Sequence, residues 1–391
     1  MTAGTMATTL SNVQDLASGI ASRAEEIEGL RALPPELFDS LRDAGCFRML
    51  VPASHGGNEA SLPEALGVVE TVARADGSTG WTVAIVATTP LVLGFLPAAT
   101  FDSVYCDGPD VVTAGALAPK GRGVREEGGW RVSGKWPFAS VCQRAAWIYV
   151  NCVVLEDGSA RRAASGDPEV RMMLFPADEV EILDTWRTAG LRGTGSHDVQ
   201  IDQVKCPEQR SGMIFGGSPT LPGTIFKVPV INQLGLFIGA VALGIAAGAM
   251  DEVAAQAAAR KRPAMSMRPL AQSPLFQDRL GTACMALRAA RALLYREAEA
   301  AWAYASSGET IQPLERAALR ATAAHVTTTA TEVVDCAYTL GGGASVYDGS
   351  PLQRRLRDIH TATQHAATRP DSYATVGALL GGEDVDPMKI A

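Results

Sequence analysis

The sequence lacks blocks of like charge and lacks a closely spaced cysteine pair. Its net charge is −8 over 391 residues. It therefore has no basic surface of the kind that phosphate backbones require, and we expect no nucleic-acid partner. The seven cysteines are scattered and form no CxxC pair, which favours free thiols in a reducing cytosol. Hydrophobic residues make up 47%, so the chain is globular, and its length indicates two or three domains.

A secretory signal is also absent, because the Ser/Thr-rich start leads directly into a charged helical pattern. We expect a cytoplasmic protein. One run, 228–250, contains no charged residue and has the length of a membrane span. It includes Asn232, Gln233 and many small residues, and a helix that is apolar on all sides can also form the centre of a bundle. We therefore predict a buried bundle helix and no membrane partner.

Three stretches of different character predict the domain organisation. Residues 1–110 read as an α-helical domain. In 111–228, short β-branched and aromatic runs separated by turn residues predict a small antiparallel sandwich or barrel. Residues 229–391 return to long alanine-rich helices, typical of a four-helix bundle, at 232–260, 274–305, 312–340 and 352–367. The expected fold class is mainly α with a central β-domain.

Familiar nucleotide and metal motifs are missing. The Gly341-Gly342-Gly343 turn can offer backbone N–H groups to a phosphate, but it has no P-loop lysine and follows no βαβ strand. Direct NAD(P)H binding is therefore not expected. His360 and His365 are five residues apart and do not share a helix face, and no cysteine or carboxylate cluster completes a metal site. The sequence also contains no serine–histidine arrangement of the kind that would indicate a hydrolase.

Three segments, in this order and spacing, carry a resemblance to a known family. They are 134–140 (GKWPFAS), 190–198 (GLRGTGSHD) and 351–365 (PLQRRLRDIHTATQH). Together with the order helices, β-domain, helices, they resemble the acyl-CoA dehydrogenase superfamily. The details are similar to the oxygenase components of its two-component, group D flavin monooxygenases, such as hydroxyphenylacetate, secosteroid-phenol, dibenzothiophene and indole oxygenases. The resemblance implies an N-terminal helical domain, a β-barrel and a C-terminal four-helix bundle.

One departure from the dehydrogenases concerns their catalytic base. In that family a Tyr-Glu-Gly-Thr stretch near the end supplies a glutamate, and counting from Arg357-Asp358 places Ala366 at that position. Some members carry the base on the first bundle helix instead, but 228–250 contains no Asp or Glu. The neighbouring His365 remains. Histidine titrates near neutrality, so it could donate a hydrogen bond to a flavin hydroperoxide or accept a proton from a phenol or indole N–H.

The resemblance also implies which residues hold the flavin. It places 134–140 against the isoalloxazine, with Phe138 on a ring face and Ser140 bonded to N5, and it brings the 341–343 turn to the flavin nucleotide of a neighbouring subunit. Ser140 and His365 are the implied catalytic residues. The implied cofactor-binding residues are Trp136, Phe138, Ala139, Ser140, Arg192, Ser196, Arg262, Phe276, Gly341 and Gly342. The dehydrogenase Arg-x-x-Phe-Gly pattern is absent near Arg262.

We therefore expect an oxygenase component that uses reduced FAD, or FMN, from a separate NAD(P)H-dependent flavin reductase. With O2 and a C4a-hydroperoxide it would hydroxylate a small phenol- or indole-type substrate, in natural-product biosynthesis or aromatic catabolism. The long apolar helix and the glycine turn predict a homotetramer built as a dimer of dimers. The alternatives are an amino-sugar N-oxygenase, an acyl-CoA dehydrogenase-like oxidoreductase and a non-catalytic flavin-binding subunit.

Overall fold

The computed structural model describes residues 2–163, 166–262, 267–386 and 390. Within these residues the chain forms helices, then a sheet, then helices again, as predicted. The α-helices are Thr2–Ser22 (α1), Ala24–Leu30 (α2), Pro35–Asp43 (α3), Leu62–Ala75 (α4), Gly77–Leu93 (α5), Ala98–Val104 (α6), Val230–Ala258 (α7), Pro274–Ser307 (α8), Pro313–Gly341 (α9), Pro351–Ala362 (α10) and Ser372–Leu380 (α11).

The helix α5 is the central element of the N-terminal helical segment. Its first turn is capped by the side chain of Asp76, which accepts a hydrogen bond from the Thr79 backbone N–H at 2.8 Å. Apart from Ile85, every residue of α5 is buried, because the sequence of this helix is apolar or small on all sides. A helix enclosed in this way holds its side chains in fixed positions, and one of them reaches the candidate site.

The strands form one eight-stranded sheet. They are Thr113–Glu126 (β1), Gly129–Ala139 (β2), Trp147–Glu156 (β3), Ser159–Ala160 (β4), Val170–Pro176 (β5), Glu181–Leu183 (β6), His197–Pro207 (β7) and Ser211–Gly212 (β8). The order is β6-β7-β2-β1-β3-β5-β8, with β4 paired to β3. The predicted antiparallel arrangement is wrong for one pair, because β1 and β3 run parallel, with Thr113 opposite Trp147. The remaining pairs are antiparallel.

The C-terminal bundle is built around α7. This helix is long and apolar enough to cross a membrane by length and composition, but 89% of its most apolar window is buried inside the protein. The side-chain amide groups of two of its polar residues donate hydrogen bonds there. Gln233 donates to the Ile225 and Val228 carbonyls, and Asn232 donates to the Arg316 carbonyl. These contacts are those of a core helix, as expected for 228–250.

The fourth bundle helix is shorter than predicted. It ends at Ala362 and not at 367, and residues 366–368 form a separate 3-10 turn before α11. The His365 side chain caps this turn by accepting a hydrogen bond from the Ala367 N–H. The Thr361 and Thr363 hydroxyls donate to the Arg357 and His360 carbonyls, and threonine side chains that bond the nearby backbone in this way compete with helix continuation. His365 therefore lies in a connection and not on a helix face.

All three segments of the fold meet at the turn before β7. The Ser78 hydroxyl of α5 accepts a hydrogen bond from the Gly193 N–H at 3.2 Å, and Asp358 of α10 accepts one from the Leu191 N–H at 2.6 Å. Residues 190–196 are thus held by the N-terminal helices on one side and by the bundle on the other. The candidate site lies at this junction.

Candidate active site

Three buried hydroxyl groups form the centre of the site. Ser140 follows β2, and Thr194 and Ser196 lie in the turn that leads into β7. Ser140 Oγ is 2.7 Å from Ser196 Oγ, which is 2.6 Å from Thr194 Oγ1. The Thr194 hydroxyl also donates to the Leu191 carbonyl at 2.9 Å. The structure therefore brings together two of the predicted residues, Ser140 and Ser196, and adds Thr194 to them.

Trp81 of α5 connects this cluster to His365. Its indole Nε1–H donates to Ser140 Oγ at 3.2 Å. The edge of its ring also meets the His365 ring, with centroids 5.7 Å apart and planes at 68°. Since aromatic rings prefer such edge-to-face contacts, Trp81 fixes the position of the histidine. The two residues predicted as catalytic are thus neighbours of a single buried tryptophan.

His365 is a neutral hydrogen-bond donor in this environment. Burial lowers its pKa to about 4, so the imidazole is uncharged at neutral pH. Its Nδ1 accepts the Ala367 N–H at 3.1 Å, which assigns the ring proton to Nε2. This refines the two roles expected for His365: donation from Nε2 fits the hydrogen-bond assignment, whereas accepting a proton would require the other tautomer. Ala366 is exposed and offers no acid or base.

The backbone around the hydroxyl cluster is held in unusual conformations. Val141 has φ +65° and Leu191 has φ +50°, in the left-handed region that branched side chains rarely adopt. The two segments hold each other, because the Val141 N–H donates to the Thr194 carbonyl at 3.0 Å. Such conformations cost roughly 1–3 kcal/mol each and concentrate at ligand sites. Their interlocking keeps Ser140 opposite Ser196.

Phe138 displays a broad aromatic surface beside this cluster. It also has a positive φ, +69°, and 67% of the residue is exposed. Its ring meets that of Trp186 edge-on, with centroids 6.2 Å apart and planes at 89°. Phe138 is thus an exposed ring on strained backbone, two residues from the buried Ser140 hydroxyl. A flat aromatic ligand could stack on this ring, which is consistent with the predicted place of Phe138 at a flavin face.

A buried carboxyl group anchors the turn that carries Thr194. The carboxyl of Asp358 accepts the Leu191 N–H, and burial together with the nearby Asp76 raises the pKa of Asp358 to about 7. Gly190 is required next to it, since a Cβ there would overlap the Arg357 carbonyl. The Arg357-Asp358 pair therefore has a structural task, which is to hold the turn against α10.

Two of the predicted flavin contacts are core residues. Trp136 is fully buried in the sheet domain, where its Nε1–H donates to the Asn151 carbonyl at 2.7 Å. Ala139 is also fully buried. A residue without exposed surface cannot touch a ligand, so the predicted direct contacts of Trp136 and Ala139 are corrected. Both support the strand from which Phe138 and Ser140 project.

Arg192, predicted as a polar contact, is exposed and already has partners within the chain. Its Nε–H donates to the Thr188 carbonyl at 2.7 Å, and its Nη1 lies 3.4 Å from Glu28 Oε1. The structure does not place it in the hydroxyl cluster. A contact between Arg192 and a ligand stays a prediction.

The glycine turn after α9 meets a lysine that the sequence did not single out. Lys261 Nζ donates to the Gly341 carbonyl at 2.9 Å, and the exposed Arg262 follows it in the chain. Gly342 is exposed with φ +66°, which glycine tolerates. Two cations and a glycine turn fit the phosphate end of a nucleotide. Phe276 is 4% exposed and packs in the core, and its contact with the cofactor stays a prediction.

Histidines and polar clefts elsewhere do not add to the site. His360 Nε2 lies 2.9 Å from Asp335 Oδ1 on the outside of the bundle. Among the described residues, no group of three or more His, Cys, Asp or Glu side chains is placed to hold a metal ion. A polar cleft of about 540 Å³ lies between helices and includes none of the predicted site residues. Its lining residues are Gln14, Ala17, Ser18, Glu70, Thr71, Arg74, Ala75, Asp251 and Arg291.

Sequence reasoning missed Trp81, Thr194 and Lys261. Trp81 begins an apolar run and looks like any core aromatic, and only the fold shows that it reaches Ser140. Thr194 lies inside the GLRGTGSHD segment, where spacing alone does not separate a turn residue from a site residue. Lys261 lies between Arg260 and Arg262, so a search for clustered cations could have found it, but only the fold shows that it lies beside the glycine turn.

Comparisons with known proteins show what this chain is similar to. Residues 10–95 match the acyl-CoA dehydrogenase N-terminal domain family, and residues 236–370 match the C-terminal domain family. The chain is 32% identical to an indole-3-acetate monooxygenase from Pseudomonas putida, over 95% of this chain and 94% of that protein. It is 29% identical to the oxygenase subunit of a flavin-dependent monooxygenase from Rhodococcus jostii, over 92% of this chain and 94% of that subunit.

A solved structure shows the same fold. XiaF from a Streptomyces species, in complex with FADH2 and glycerol, superposes with a TM-score of 0.89 and 26% sequence identity. The match covers 98% of this chain and 97% of that one. The likeness therefore extends over the helical segments and the sheet together.

Proposed function

Since this chain belongs to the acyl-CoA dehydrogenase superfamily, among the oxygenase components of its flavin-dependent monooxygenases, we propose that it hydroxylates a small phenol- or indole-type substrate at the Ser140–Trp81–His365 site. It is an oxidoreductase that uses reduced flavin and O2 on aromatic compounds. An indole-type ring is supported by the 32% identity to an indole-3-acetate monooxygenase. The reduced flavin comes from a separate NAD(P)H-dependent reductase, in the cytoplasm.

The residues present fit a flavin at this position. Phe138 offers an exposed ring, and Ser140 is the one member of the hydroxyl cluster that is also bonded to Trp81. When bound, the reduced flavin supplies the electrons that activate O2. The protein's part is to bind the flavin, to orient the substrate and to exclude water. Interlocked backbone at Val141 and Leu191 keeps these groups in place before any ligand arrives.

His365 orients the substrate or the oxygen to be transferred. It is neutral at pH 7 and carries its proton on Nε2, so it donates a hydrogen bond without introducing a charge. Donation of this kind stabilises negative charge that develops on oxygen, and it is strongest where water is excluded. Trp81 keeps the ring in place from one side.

The phosphate end of the cofactor is proposed to lie at the glycine turn. Lys261 and Arg262 supply positive charge there, and Gly342 leaves the backbone open to close approach. FAD fits a second contact region better than FMN, because it carries a pyrophosphate and an adenosine beyond the part of the molecule that the two flavins share. We propose a homotetramer in which the turn of one chain serves the cofactor of another.

One observation carries the proposal. A tryptophan joins a buried serine to a neutral histidine beside an exposed aromatic ring, while the position of the dehydrogenase base is the exposed Ala366. Proton abstraction from an acyl-CoA thioester needs a carboxylate, whereas oxygen transfer to an electron-rich ring needs a hydrogen-bond donor and a dry site.

The test is a reaction with ¹⁸O2. The protein, a flavin reductase, NADH and either FAD or FMN are incubated with indole-3-acetate and with simple phenols, and products are analysed by mass spectrometry. We expect one labelled oxygen atom in the aromatic product. The proposal is wrong if no aromatic product gains label, or if an acyl-CoA thioester reduces the oxidised flavin bound to the protein.

A further inference from the structure

The indole ring of Trp186 lies against Phe138, the aromatic ring that the candidate site exposes. We propose that Trp186 is a positioning residue, which holds the Phe138 ring in the orientation that receives the flavin before the flavin binds. This inference rests on the proposed function, because it takes the flat ligand on Phe138 to be the flavin ring. It concerns a residue that has no contact with Ser140 or His365 in the arguments above.

Phe138 alone does not fix the direction of its ring. Because 67% of the residue is exposed, most of its surface meets solvent and not protein. A side chain that is free to change rotamer loses this freedom when a ligand binds, and the loss weakens binding. The ring of Trp186 limits the freedom of Phe138, since the two centroids are 6.2 Å apart and the planes stand at 89°. A perpendicular contact covers at most one face of the Phe138 ring, so the other face stays open to a flat ligand.

Trp186 is itself fixed by three hydrogen bonds to different parts of the chain. Its backbone N–H donates to His197 Nδ1 at 3.3 Å, and its backbone carbonyl accepts from Arg31 Nη1 at 3.3 Å. Its indole Nε1–H donates to the Leu191 carbonyl at 3.0 Å. Trp186 is also buried, with 8% of its surface exposed. A residue tied at both its backbone and its side chain does not turn with its neighbour, so Trp186 determines the orientation of Phe138 and not the reverse.

The Leu191 carbonyl also connects Trp186 to the hydroxyl cluster. It accepts the Thr194 backbone N–H at 3.2 Å as well as the Trp186 indole N–H, and the Leu191 N–H is held by Asp358. The position of Thr194 and the orientation of Phe138 are therefore set from one residue. The two tasks of Trp186 can be separated, because its ring contacts Phe138 and its indole N–H contacts Leu191.

The test is a double-mutant cycle on Trp186 and Phe138. The measured quantity is the dissociation constant of reduced FAD, determined by anaerobic titration. Trp186→Leu should weaken binding about fivefold, because a perpendicular ring contact is worth a factor of roughly 2 to 10 in an equilibrium constant. In a chain that already carries Phe138→Leu, the same Trp186→Leu change should have no further effect, since the ring that Trp186 positions is gone.

Trp186→Phe is the matched control. It keeps an aromatic ring beside Phe138 and loses the indole N–H to Leu191, so it should bind reduced FAD nearly as tightly as the wild type. If Trp186→Phe binds as weakly as Trp186→Leu, the hydrogen bond to Leu191 and not the ring sets the affinity, and the inference is wrong. Urea denaturation of each variant establishes that the protein used in the titration is folded.

The other outcomes separate the inference from the proposed function. If the wild type binds neither reduced FAD nor reduced FMN, the proposed function fails. If the wild type binds FAD and Trp186→Leu weakens binding equally with and without Phe138, Trp186 has a general structural role and the inference is wrong. An unchanged affinity in Trp186→Leu also overturns it, and in both cases the proposed function stands. Should Trp186→Leu not fold, Trp186→Met takes its place in both backgrounds and must give the same cycle.

Discussion

At the scale of single residues, His365 and His360 give a matched pair. His365 touches Trp81 in the proposed site, and His360 pairs with Asp335 on the outside of the bundle. His365→Ala should keep nearly normal flavin affinity, while product formed per O2 falls and H2O2 release rises. Removing one hydrogen-bond donor to developing negative charge typically lowers the rate about 10²–10³-fold, which sets the expected loss.

Product yield and H2O2, measured side by side, check this prediction. His360→Ala should resemble the wild type in both quantities, because its partner is a surface carboxylate. Uncoupling in His360→Ala with normal coupling in His365→Ala would reverse the two roles. If both variants are fully coupled, the role assigned to this part of the chain is wrong.

A second residue-scale prediction concerns Thr82. Its hydroxyl is buried, lines a cavity of about 20 Å³ beside Thr194, and has no hydrogen-bond partner among the described residues. Leaving such a group unsatisfied costs about 1–3 kcal/mol. Thr82→Val should therefore be as stable as the wild type or more stable, by up to that amount, in urea denaturation.

The control for Thr82 lies on the same helix. Thr88 of α5 is also buried, but its hydroxyl donates to the Ala84 carbonyl at 2.9 Å. Thr88→Val should lose about 0.5–1.5 kcal/mol of unfolding free energy. A loss in Thr82→Val as large as that in Thr88→Val would mean that the Thr82 hydroxyl is hydrogen-bonded in solution, through a water in the cavity.

At the scale of elements, the contact between α10 and the turn before β7 should depend on pH. The pKa of Asp358 is raised to about 7, against an ordinary value near 3.9, so the folded protein holds this proton over a range where the unfolded chain has lost it. The stability that the protonated group contributes is full below pH 4 and is lost as pH rises toward 7. The slope for one proton is at most about 1.4 kcal/mol per pH unit.

Asp358→Asn removes this dependence and keeps an acceptor for the Leu191 N–H. Relative to the wild type, the variant should be least stable near pH 4.5 and should gain steadily up to pH 8 in denaturation curves. The pKa of His365 is lowered, so its contribution to stability has the opposite sign and is lost as pH falls from 6.5 to 4. Because both proteins contain His365, this contribution cancels in the difference between them. The exposed Asp43→Asn is the control. A constant difference between Asp358→Asn and the wild type across this range would contradict the assignment.

Elements were easier to predict from the sequence than the contacts between them. The patterns of apolar, β-branched and turn residues predicted the helices, the sheet and the bundle, because such patterns are a local property of the sequence. The parallel pairing of β1 with β3 was missed, since register depends on residues more than 30 positions apart. The early end of α10 at Ala362 was missed because it depends on the His365 side chain capping the next turn.

The residues of the candidate site also divide into those that the sequence could predict and those that only the fold reveals. Ser140, Ser196 and His365 could be named from a resemblance in segments, but Trp81, which touches both Ser140 and His365, comes from a distant helix and has no signal in sequence. Trp136 illustrates the opposite error. Its place in the GKWPFAS segment predicts a ligand contact, but its indole N–H donates to the Asn151 carbonyl in the sheet core.

At the scale of the whole molecule, the exposed surface of α8 indicates that the chain forms an oligomer. Over its 34 residues it buries only a narrow and mostly alanine stripe, while Leu275 and Met285 are 62% and 63% exposed. Val346 and Tyr347, close to the glycine turn, are also exposed. Exposed apolar side chains on one element indicate a contact surface, and closed symmetry is the usual way to cover it.

Light scattering at micromolar concentration should give four times the chain mass. Met285→Glu places a charge on this surface and should shift the protein toward dimers or monomers, with weaker FAD binding because the glycine turn no longer reaches a neighbour. Leu30→Glu, at a position of similar exposure in the N-terminal helices, is the control and should remain tetrameric. A wild-type monomer that binds FAD normally would exclude the proposed assembly.

The close approach of Gly190 to Arg357 has a consequence for building chimeric enzymes from this scaffold. A side chain at position 190 would overlap the Arg357 carbonyl, and the adjacent Leu191 N–H is held by Asp358. The sheet domain and α10 are therefore a fitted pair, although the contacting residues are 167 positions apart in the chain. A sheet domain transplanted from a relative to alter substrate range should bring the 351–362 helix with it. Exchanging the sheet alone would leave the Thr194 turn without its anchor.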